Sequence, residues 1–222
     1  MAMAGIPGWS IFLDPAYLSG GALINRALPN NVTQNLDAAQ TPATFSNDAP
    51  ALSMTSARRV QPNTAVDPNV WTFFWVINGS TPTSLMDLAG SVTPATSPNL
   101  SLKIGISSDG ARTGIYPNTA TVTPRLAYTP GSNLFGRTAL LMYTFSTRDG
   151  LRIYENGNLV ATDASDKTPL TSGYTAGQWR LFTNARGLIG MTGHLNIDLS
   201  WPEYAAQRVA METFLKAKYG IT

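Results

Sequence analysis

The sequence LLMYTFSTRDGLRIYENGNLVAT, residues 140–162, decides the fold. Its apolar segments are separated by two turn dipeptides, Asp149-Gly150 and Asn156-Gly157. These dipeptides favour type I′ turns, because the central positions of such turns need a positive φ and their twist matches that of paired strands. The stretch therefore predicts an antiparallel meander of three strands.

Segments of the same kind lie on both sides of this meander. The aromatic and β-branched stretch Trp71–Ile77 ends at the turn dipeptide Asn78-Gly79, as is typical of a central strand. Asp109-Gly110 predicts a further hairpin. Other strands are predicted at Ser84–Leu88, Leu100–Ile106, Arg112–Tyr116, Thr121–Ala127, Thr138–Ser146, Gln178–Phe182 and His194–Leu199. Short strands at this spacing are typical of an all-β sandwich.

The N-terminal part of the chain has a weaker pattern. Residues 1–69 predict a strand at Ala22–Arg26, short edge strands at Ala51–Met54 and Ala57–Val60, and otherwise irregular chain. Residues 70–200 hold the predicted sandwich core. We expect residues 1–222 to form a single domain.

One helix is predicted, over residues 201–219. Ser200 and Glu203 have the spacing of a capping box, Pro202 lies in the first turn, and Gly220 follows the last helical residue. An apolar stripe at helical spacing is formed by Tyr204, Met211, Leu215 and Tyr219. This stripe predicts that the helix packs against the sandwich.

The composition excludes several kinds of chemistry. The chain has no cysteine and a single histidine, which excludes disulfides, thiolate nucleophiles and zinc–thiolate sites and leaves at most one histidine general base. Its net charge of +2 and one isolated basic dipeptide, Arg58-Arg59, argue against nucleic-acid binding. The N-terminus has no basic region before an apolar segment, and no apolar run is long enough to cross a bilayer. We therefore expect neither a secretory signal peptide nor a membrane partner.

His194 and Asp198 do not predict a catalytic triad. On one strand they would lie about 13 Å apart, and no Gly-x-Ser-x-Gly motif occurs. We interpret His194 as an exposed or hydrogen-bonded strand residue. The glycines of Gly187–Gly193 precede a strand, whereas phosphate loops precede a helix, so we interpret them as positions where the backbone turns.

The order of these segments resembles a known family. Tyr154-Glu155-Asn156-Gly157 with its Leu-Val return, the Gly-rich segment 187–193, the strand 195–199 and the terminal Lys218-Tyr219-Gly220-Ile221 are similar to laminin-G-like or concanavalin A-like domains. The helix with its Lys-Tyr-Gly-Ile ending resembles the version found in tailed-bacteriophage virion proteins. The resemblance implies a two-sheet antiparallel β-sandwich of jelly-roll type, with Trp71–Ile77 and Thr138–Ser146 as long inner strands and one C-terminal α-helix.

The resemblance also suggests where catalysis or metal binding would lie. Hydrolases of this class carry a Glu-x-Asp-x-x-Glu pattern, which this sequence lacks. Its glutamates, Glu155, Glu203 and Glu212, are assigned to a turn, a helix cap and a helix, so we predict no catalytic residues and no cofactor. Relatives bind calcium through loop carboxylates, for which the candidates are Asp149, Asp163 and Asp166. These aspartates lack the dense series of a calcium loop, so no metal site is predicted.

We therefore predict a non-enzymatic structural virion protein, specifically a capsid decoration protein on the capsid surface. It would be assembled in the host cytoplasm, bind the major capsid protein or other virion proteins, and form a homo-oligomer. The first alternative is a carbohydrate-binding module or a tail or fibre component for host attachment, and the second is a glycan hydrolase. Trp71, Trp75 and Trp179 are expected in the core, and Trp201 is the candidate that would stack on a sugar.

Overall fold

The computed structural model describes residues 5–27, 31–32, 34–35, 38–55, 58–82, 85–92, 102–116 and 124–222. The strands in these ranges are β1 (Trp9–Ser19), β2 (Ala22–Asn25), β3 (Asn31–Val32), β4 (Gln34–Asn35), β5 (Thr41–Thr44), β6 (Pro50–Met54), β7 (Val60–Gln61), β8 (Val70–Gly79), β9 (Met86–Ser91), β10 (Lys103–Ile106), β11 (Thr113–Ile115), β12 (Leu126–Tyr128), β13 (Ala139–Ser146), β14 (Gly150–Glu155), β15 (Asn158–Asp163), β16 (Trp179–Thr183) and β17 (Gly187–Leu195). A 3₁₀ turn, Pro202–Tyr204, leads into the helix α1, Ala205–Tyr219.

The strands form two antiparallel sheets that pack face to face. The ten-stranded sheet has the order β15-β14-β13-β8-β17-β1-β2-β3, with β6 paired to β17 and β5 paired to β6. The seven-stranded sheet has the order β12-β11-β10-β9-β16-β7-β4. The predicted all-β sandwich with one C-terminal helix is confirmed.

The predicted meander is β13, β14 and β15. β13 pairs with β14 from Leu141 opposite Glu155 to Ser146 opposite Gly150. The second turn has φ values of 51° at Asn156 and 88° at Gly157, which are the left-handed values of a type I′ turn. The turn at Asn156-Gly157 therefore forms as predicted. At the first turn only Gly150 has a positive φ, of 82°, so the type I′ turn predicted at Asp149-Gly150 is wrong, although the chain reverses there.

Large aromatic side chains fill the space between the sheets. Trp71, Phe73 and Trp75 alternate along β8 and are fully buried, as is Trp179 from the opposite sheet. The rings of Phe73 and Trp75 are stacked, with centroids 5.4 Å apart. The prediction that these three tryptophans belong to the core is confirmed.

A second apolar layer lies between the ten-stranded sheet and α1. Met211, Leu215 and Tyr219 of the predicted stripe are buried there, whereas Tyr204 lies in the preceding 3₁₀ turn and is half-buried. α1 ends at Tyr219 and is capped by Gly220 with φ 64°. The predicted capping box is wrong. Neither Trp201, before the 3₁₀ turn, nor Tyr204, before α1, makes a side-chain capping bond, and the Ser200 hydroxyl accepts a hydrogen bond from Arg152 at 2.6 Å instead.

The interpretation of Gly187–Gly193 as a turning segment is wrong, because these residues belong to the central strand β17. The strand predicted at His194–Leu199 correspondingly ends at Leu195. A Cβ atom at Gly190 would lie 2.7 Å from Cε1 of Tyr219, and one at Gly193 would clash with the ring of Phe74. The glycines therefore leave room for aromatic rings that pack on this strand.

The N-terminal part is more regular than predicted. Trp9–Ser19 forms β1, between β17 and β2, where irregular chain was expected. The predicted strands at residues 22–26 and 51–54 are confirmed as β2 and β6. Several predicted strand ends, at residues 57, 84, 100–101 and 121–123, lie outside the described residues. In the described part of the chain, no helix is long and apolar enough to cross a membrane.

Candidate ligand-binding cleft

His194 lies in the interior of the sandwich. It is 1% exposed, and neither ring nitrogen has a hydrogen-bond partner among the described residues, so the interpretation as an exposed or hydrogen-bonded histidine is wrong. Its ring centroid is 4.4 Å from that of Phe73 and 5.7 Å from that of Trp179. Burial lowers the pKa of His194 to about 3, which keeps the imidazole neutral.

Asp198 is also buried, but it serves the backbone and not His194. Its carboxylate accepts a hydrogen bond from the N–H of Ser200 at 2.8 Å, and Arg152 Nη1 lies 3.7 Å from its other oxygen. These contacts connect the end of the ten-stranded sheet to the start of the helical segment. His194 and Asp198 therefore do not form a catalytic pair.

The three aspartates considered for calcium do not form a cluster. Asp163 accepts hydrogen bonds from the backbone N–H and the hydroxyl of Ser165, whereas Asp166 binds Arg125 through two bonds of 2.7 and 2.8 Å. Asp149 lies 3.4 Å from Arg148. Among the residues that the structure describes, no group of three or more His, Asp or Glu side chains could hold a metal ion.

Trp201, the predicted carbohydrate residue, already packs against neighbouring side chains. The guanidinium carbon of Arg148 lies 5.0 Å from the Trp201 ring centroid, and the Tyr204 ring is stacked at 6.2 Å. Arg148 is also 3.7 Å from the carboxylate of Glu203. A sugar that stacked on the face beneath Arg148 would first have to displace this cation.

A separate cleft of about 350 Å³ opens beside the β10–β11 hairpin of the seven-stranded sheet. Its described lining residues are Leu85, Ser107, Asp109, Ala111, Arg112, Tyr116 and Thr129. The volume lies at the lower end of the range of small-molecule pockets, roughly 300–1,000 Å³. This cleft was not predicted as a site from the sequence.

The hairpin turn holds one wall of the cleft in place. Asp109 Oδ1 accepts hydrogen bonds from the Ser107 hydroxyl at 2.5 Å and from the Ala111 N–H at 3.0 Å. The backbone N–H of Arg112 donates to Ser107 Oγ at 2.9 Å, and Gly110 supplies the positive φ of 70° that the turn requires. The Asp109 and Arg112 side chains therefore start from a fixed backbone.

Besides Ser107, four polar side chains line the cleft. Asp109, Arg112 and Thr129 are exposed there, and the guanidinium of Arg112 and the hydroxyls of Tyr116 and Thr129 make no hydrogen bond to a described residue. Hydrogen bonds from Ser107 and Ala111, helped by the charge of Arg112, lower the pKa of Asp109, so it stays ionised, and burial raises the pKa of Tyr116, so its hydroxyl stays protonated. The cleft thus offers one anion, one cation and two hydroxyls.

An ion pair lies next to the wall of the cleft. Asp87 on β9 is 3.6 Å from Lys103 on β10 and faces Gly105, where a Cβ atom would lie 3.3 Å from Leu85 of the cleft and 3.5 Å from Asp87 Oδ1. Burial raises the pKa of Asp87 to about 6 in spite of Lys103. This carboxyl group therefore titrates near neutral pH.

No family model matches the chain, and no curated protein sequence matches it. Solved structures are similar in fold. The sialidase of Trypanosoma rangeli is 12% identical, with a TM-score of 0.62 over 96% of this chain and 33% of the sialidase. The binding domain of botulinum neurotoxin serotype D is 15% identical, with a TM-score of 0.63 over 98% of this chain and 53% of that chain. Botulinum neurotoxin type C, described as depending on two ganglioside molecules to enter cells, is 12% identical, with a TM-score of 0.61 over 95% and 51%.

These similarities show the fold and no more. The fold is that of the lectin-like β-sandwiches, in agreement with the concanavalin A-like resemblance of the sequence. The chain spans about a third of the sialidase and about half of the toxin chains. The virion context of the predicted resemblance finds no support in them.

Proposed function

We propose that this chain is a carbohydrate-binding domain and that the cleft beside the β10–β11 hairpin holds a sugar ring. The observation that carries the proposal is the group of four polar side chains, Asp109, Arg112, Tyr116 and Thr129, around one small cavity. A carboxylate accepts hydrogen bonds from sugar hydroxyls and a guanidinium donates to them, so Asp109 and Arg112 together can bind two adjacent hydroxyls. Tyr116 and Thr129 can donate or accept at the remaining positions.

The proposed activity is binding without hydrolysis. Glycosidases generally need two carboxyl groups on opposite sides of the scissile bond, one of which donates a proton. Among the described residues that line the cleft, Asp109 is the only carboxylate. Its lowered pKa makes it a hydrogen-bond acceptor at neutral pH and a poor proton donor.

The fold neighbours support carbohydrate as the ligand class to test first. One is a sialidase, and another is described as dependent on gangliosides. The balanced charge of the cleft, with Arg112 beside Asp109, favours neutral sugars with adjacent hydroxyls over sugars that carry only a carboxylate. A glycan panel should therefore contain both neutral and sialylated oligosaccharides.

The test is a glycan array followed by calorimetric titration of the strongest hit. We expect Arg112→Ala to weaken binding at least about tenfold, because a guanidinium that hydrogen-bonds a ligand contributes about 1.5–3 kcal/mol. Arg148→Ala, which removes the same charge beside Trp201, should leave the affinity unchanged, as should Trp201→Ala. Absence of any glycan hit, or loss of binding with Trp201→Ala and not with Arg112→Ala, would overturn the proposal.

The capsid decoration role and the capsid-surface location stay predictions from the sequence. Electron microscopy of tailed-phage particles incubated with the purified chain tests them directly. Regular density on the capsid shell would support that role, whereas density on tail fibres would fit attachment through a glycan.

A further inference from the structure

A second and smaller cavity, of about 290 Å³, opens at one end of the ten-stranded sheet. Its described lining residues are Met54, Thr55, Ser80 and Arg186. The volume is just below the roughly 300–1,000 Å³ of small-molecule pockets, so the cavity suits a single small chemical group. It shares none of these residues with the described lining of the proposed sugar cleft.

Three neighbouring strands hold the backbone around this cavity. Gly187 at the start of β17 lies opposite Met54 of β6 on one side and opposite Gly79 of β8 on the other. Ser80 directly follows β8, and its N–H donates to the carbonyl of Arg186, directly before β17, at 3.0 Å. A Cβ atom at residue 187 would lie 2.3 Å from a carbonyl oxygen of β8, so glycine is required for this close approach. The side chains that line the cavity therefore start from a fixed backbone.

Arg186 has no counter-ion among the described residues. The residue is half-buried, and its guanidinium makes neither a hydrogen bond nor an ion pair with any of them. No aspartate or glutamate belongs to the described lining of the cavity. A guanidinium stays protonated at every physiological pH and presents five N–H donors. A cavity with this charge and no carboxylate attracts an anion.

Two hydroxyl groups and a second cation strengthen this preference. Thr55 Oγ1 accepts a hydrogen bond from Nε of Arg58 at 3.3 Å, so the proton of the Thr55 hydroxyl can point to a ligand. Arg58 is itself held in place, because it also donates to the carbonyl of Ala39 at 3.1 Å and to the hydroxyl of Thr41. The hydroxyl of Ser80 makes no hydrogen bond to a described residue. The cavity therefore has two hydroxyl donors and two guanidinium groups at hand.

We propose that this cavity binds a single oxyanion, the carboxylate, sulfate or phosphate group of a ligand. The guanidinium of Arg186 forms a charge-assisted pair with two oxygens of the anion, a geometry for which its planar fork of donors is suited. Thr55 and Ser80 donate to the remaining lone pairs, and the charge of Arg58 adds attraction from the side. The proposal does not depend on the sugar cleft, because each site uses its own residues.

Titration with sodium sulfate, sodium phosphate and sodium acetate, followed by NMR of the backbone amides, tests the site. Sodium chloride balances each step, so that the ionic strength stays constant and screening does not change. We expect saturable shifts of the Ser80 and Arg186 amides, since the two residues are joined by a backbone hydrogen bond beside the cavity. Tighter binding of sulfate and phosphate than of acetate would assign the site to sulfate or phosphate esters, and the reverse order to carboxylates.

Three variants decide whether the cavity is the binding site. Arg186→Gln removes the cation and keeps a polar side chain, so it should weaken binding at least about tenfold. Lys167→Gln removes the same charge from an exposed lysine on another loop and should leave the affinity unchanged. Ser80→Ala, at an exposed position, should weaken binding about threefold.

Circular dichroism checks that the variants are folded, and Ser80→Ala carries the test if Arg186→Gln is not. Two results would overturn the proposal. One is the absence of saturable shifts with all three anions. The other is an affinity that the folded Arg186→Gln variant, or Ser80→Ala in its place, leaves unchanged.

Discussion

Replacement of His194 by leucine should change how folding stability depends on pH. The imidazole is 1% exposed between aromatic rings and has no hydrogen-bond partner among the described residues, so burial holds its pKa at about 3. In the unfolded chain the pKa is about 6.5. Between these values the unfolded state binds a proton that the folded state does not. The stability associated with neutral His194 is therefore complete above pH 6.5 and is lost as the pH falls towards 3.

The magnitude can be worked out for a fall from pH 7.5 to pH 5. Over this interval His194 lowers the free energy of unfolding by about 2 kcal/mol. Asp87 acts in the opposite direction, because its pKa is raised from 3.8 to about 6 in the folded state, so its contribution is complete below pH 3.8 and is lost as the pH rises through 6. Asp87 adds about 1.3 kcal/mol over the same fall. From these two groups, the free energy of unfolding of the wild-type chain should fall by less than about 1 kcal/mol between pH 7.5 and pH 5. That of His194→Leu should rise by about 1.3 kcal/mol over the same interval.

The assay is urea unfolding of both proteins at pH 5 and pH 7.5, followed by tryptophan fluorescence. All other titratable groups, Asp87 included, contribute equally to the wild-type chain and to the variant. The difference between the two pH dependences therefore isolates His194. We expect this double difference to be about 2 kcal/mol. Parallel pH dependences in the two proteins would refute the reasoning, since they would mean that His194 takes up its proton in the folded state.

Three further changes have expected outcomes. Asp87→Asn, introduced into the His194→Leu variant, should remove that variant's gain of stability on acidification. The free energy of unfolding from the same urea series at pH 5 and pH 7.5 measures this. Gly190→Ala should lower stability by about 1–3 kcal/mol, because the new Cβ would lie 2.7 Å from the Tyr219 ring, whereas Gly131→Ala has nothing within 4 Å and should be nearly neutral in thermal unfolding. Gly157→Ala should cost about 1 kcal/mol, since φ is 88° in its turn, and an unchanged melting temperature would contradict this estimate.

Local turn chemistry made the meander and the end of the helix predictable. Asn156-Gly157 and Gly220 adopt the positive φ values that their positions require, so the sequence alone indicates where the chain reverses or stops. The long aromatic strand β8 was predictable for a different reason, because only Thr72 interrupts the hydrophobic residues of Val70–Ile77. The strand β17 was not predictable, because Gly190 and Gly193 resemble turn residues until the rings of Tyr219 and Phe74 are known to pack on them.

The cleft could not be predicted from local patterns. Asp109 and Arg112 were assigned to a hairpin and a strand, and nothing in the sequence connects them to Thr129, which follows a different strand. Only the order β12-β11-β10 brings Thr129 to the same cavity. Trp201, in contrast, was predicted to stack on a sugar because it lies at a loop-to-helix junction and not in an apolar strand, but in the structure Arg148 and Tyr204 pack against its ring.

The most direct measurement is a crystal structure of this chain with the strongest hit from the glycan array. The proposal predicts density for one sugar ring in the cleft, with its hydroxyls within hydrogen-bond distance of Asp109 and Arg112. Density for the sugar on Trp201, or anywhere else with the cleft empty, would contradict the proposed site.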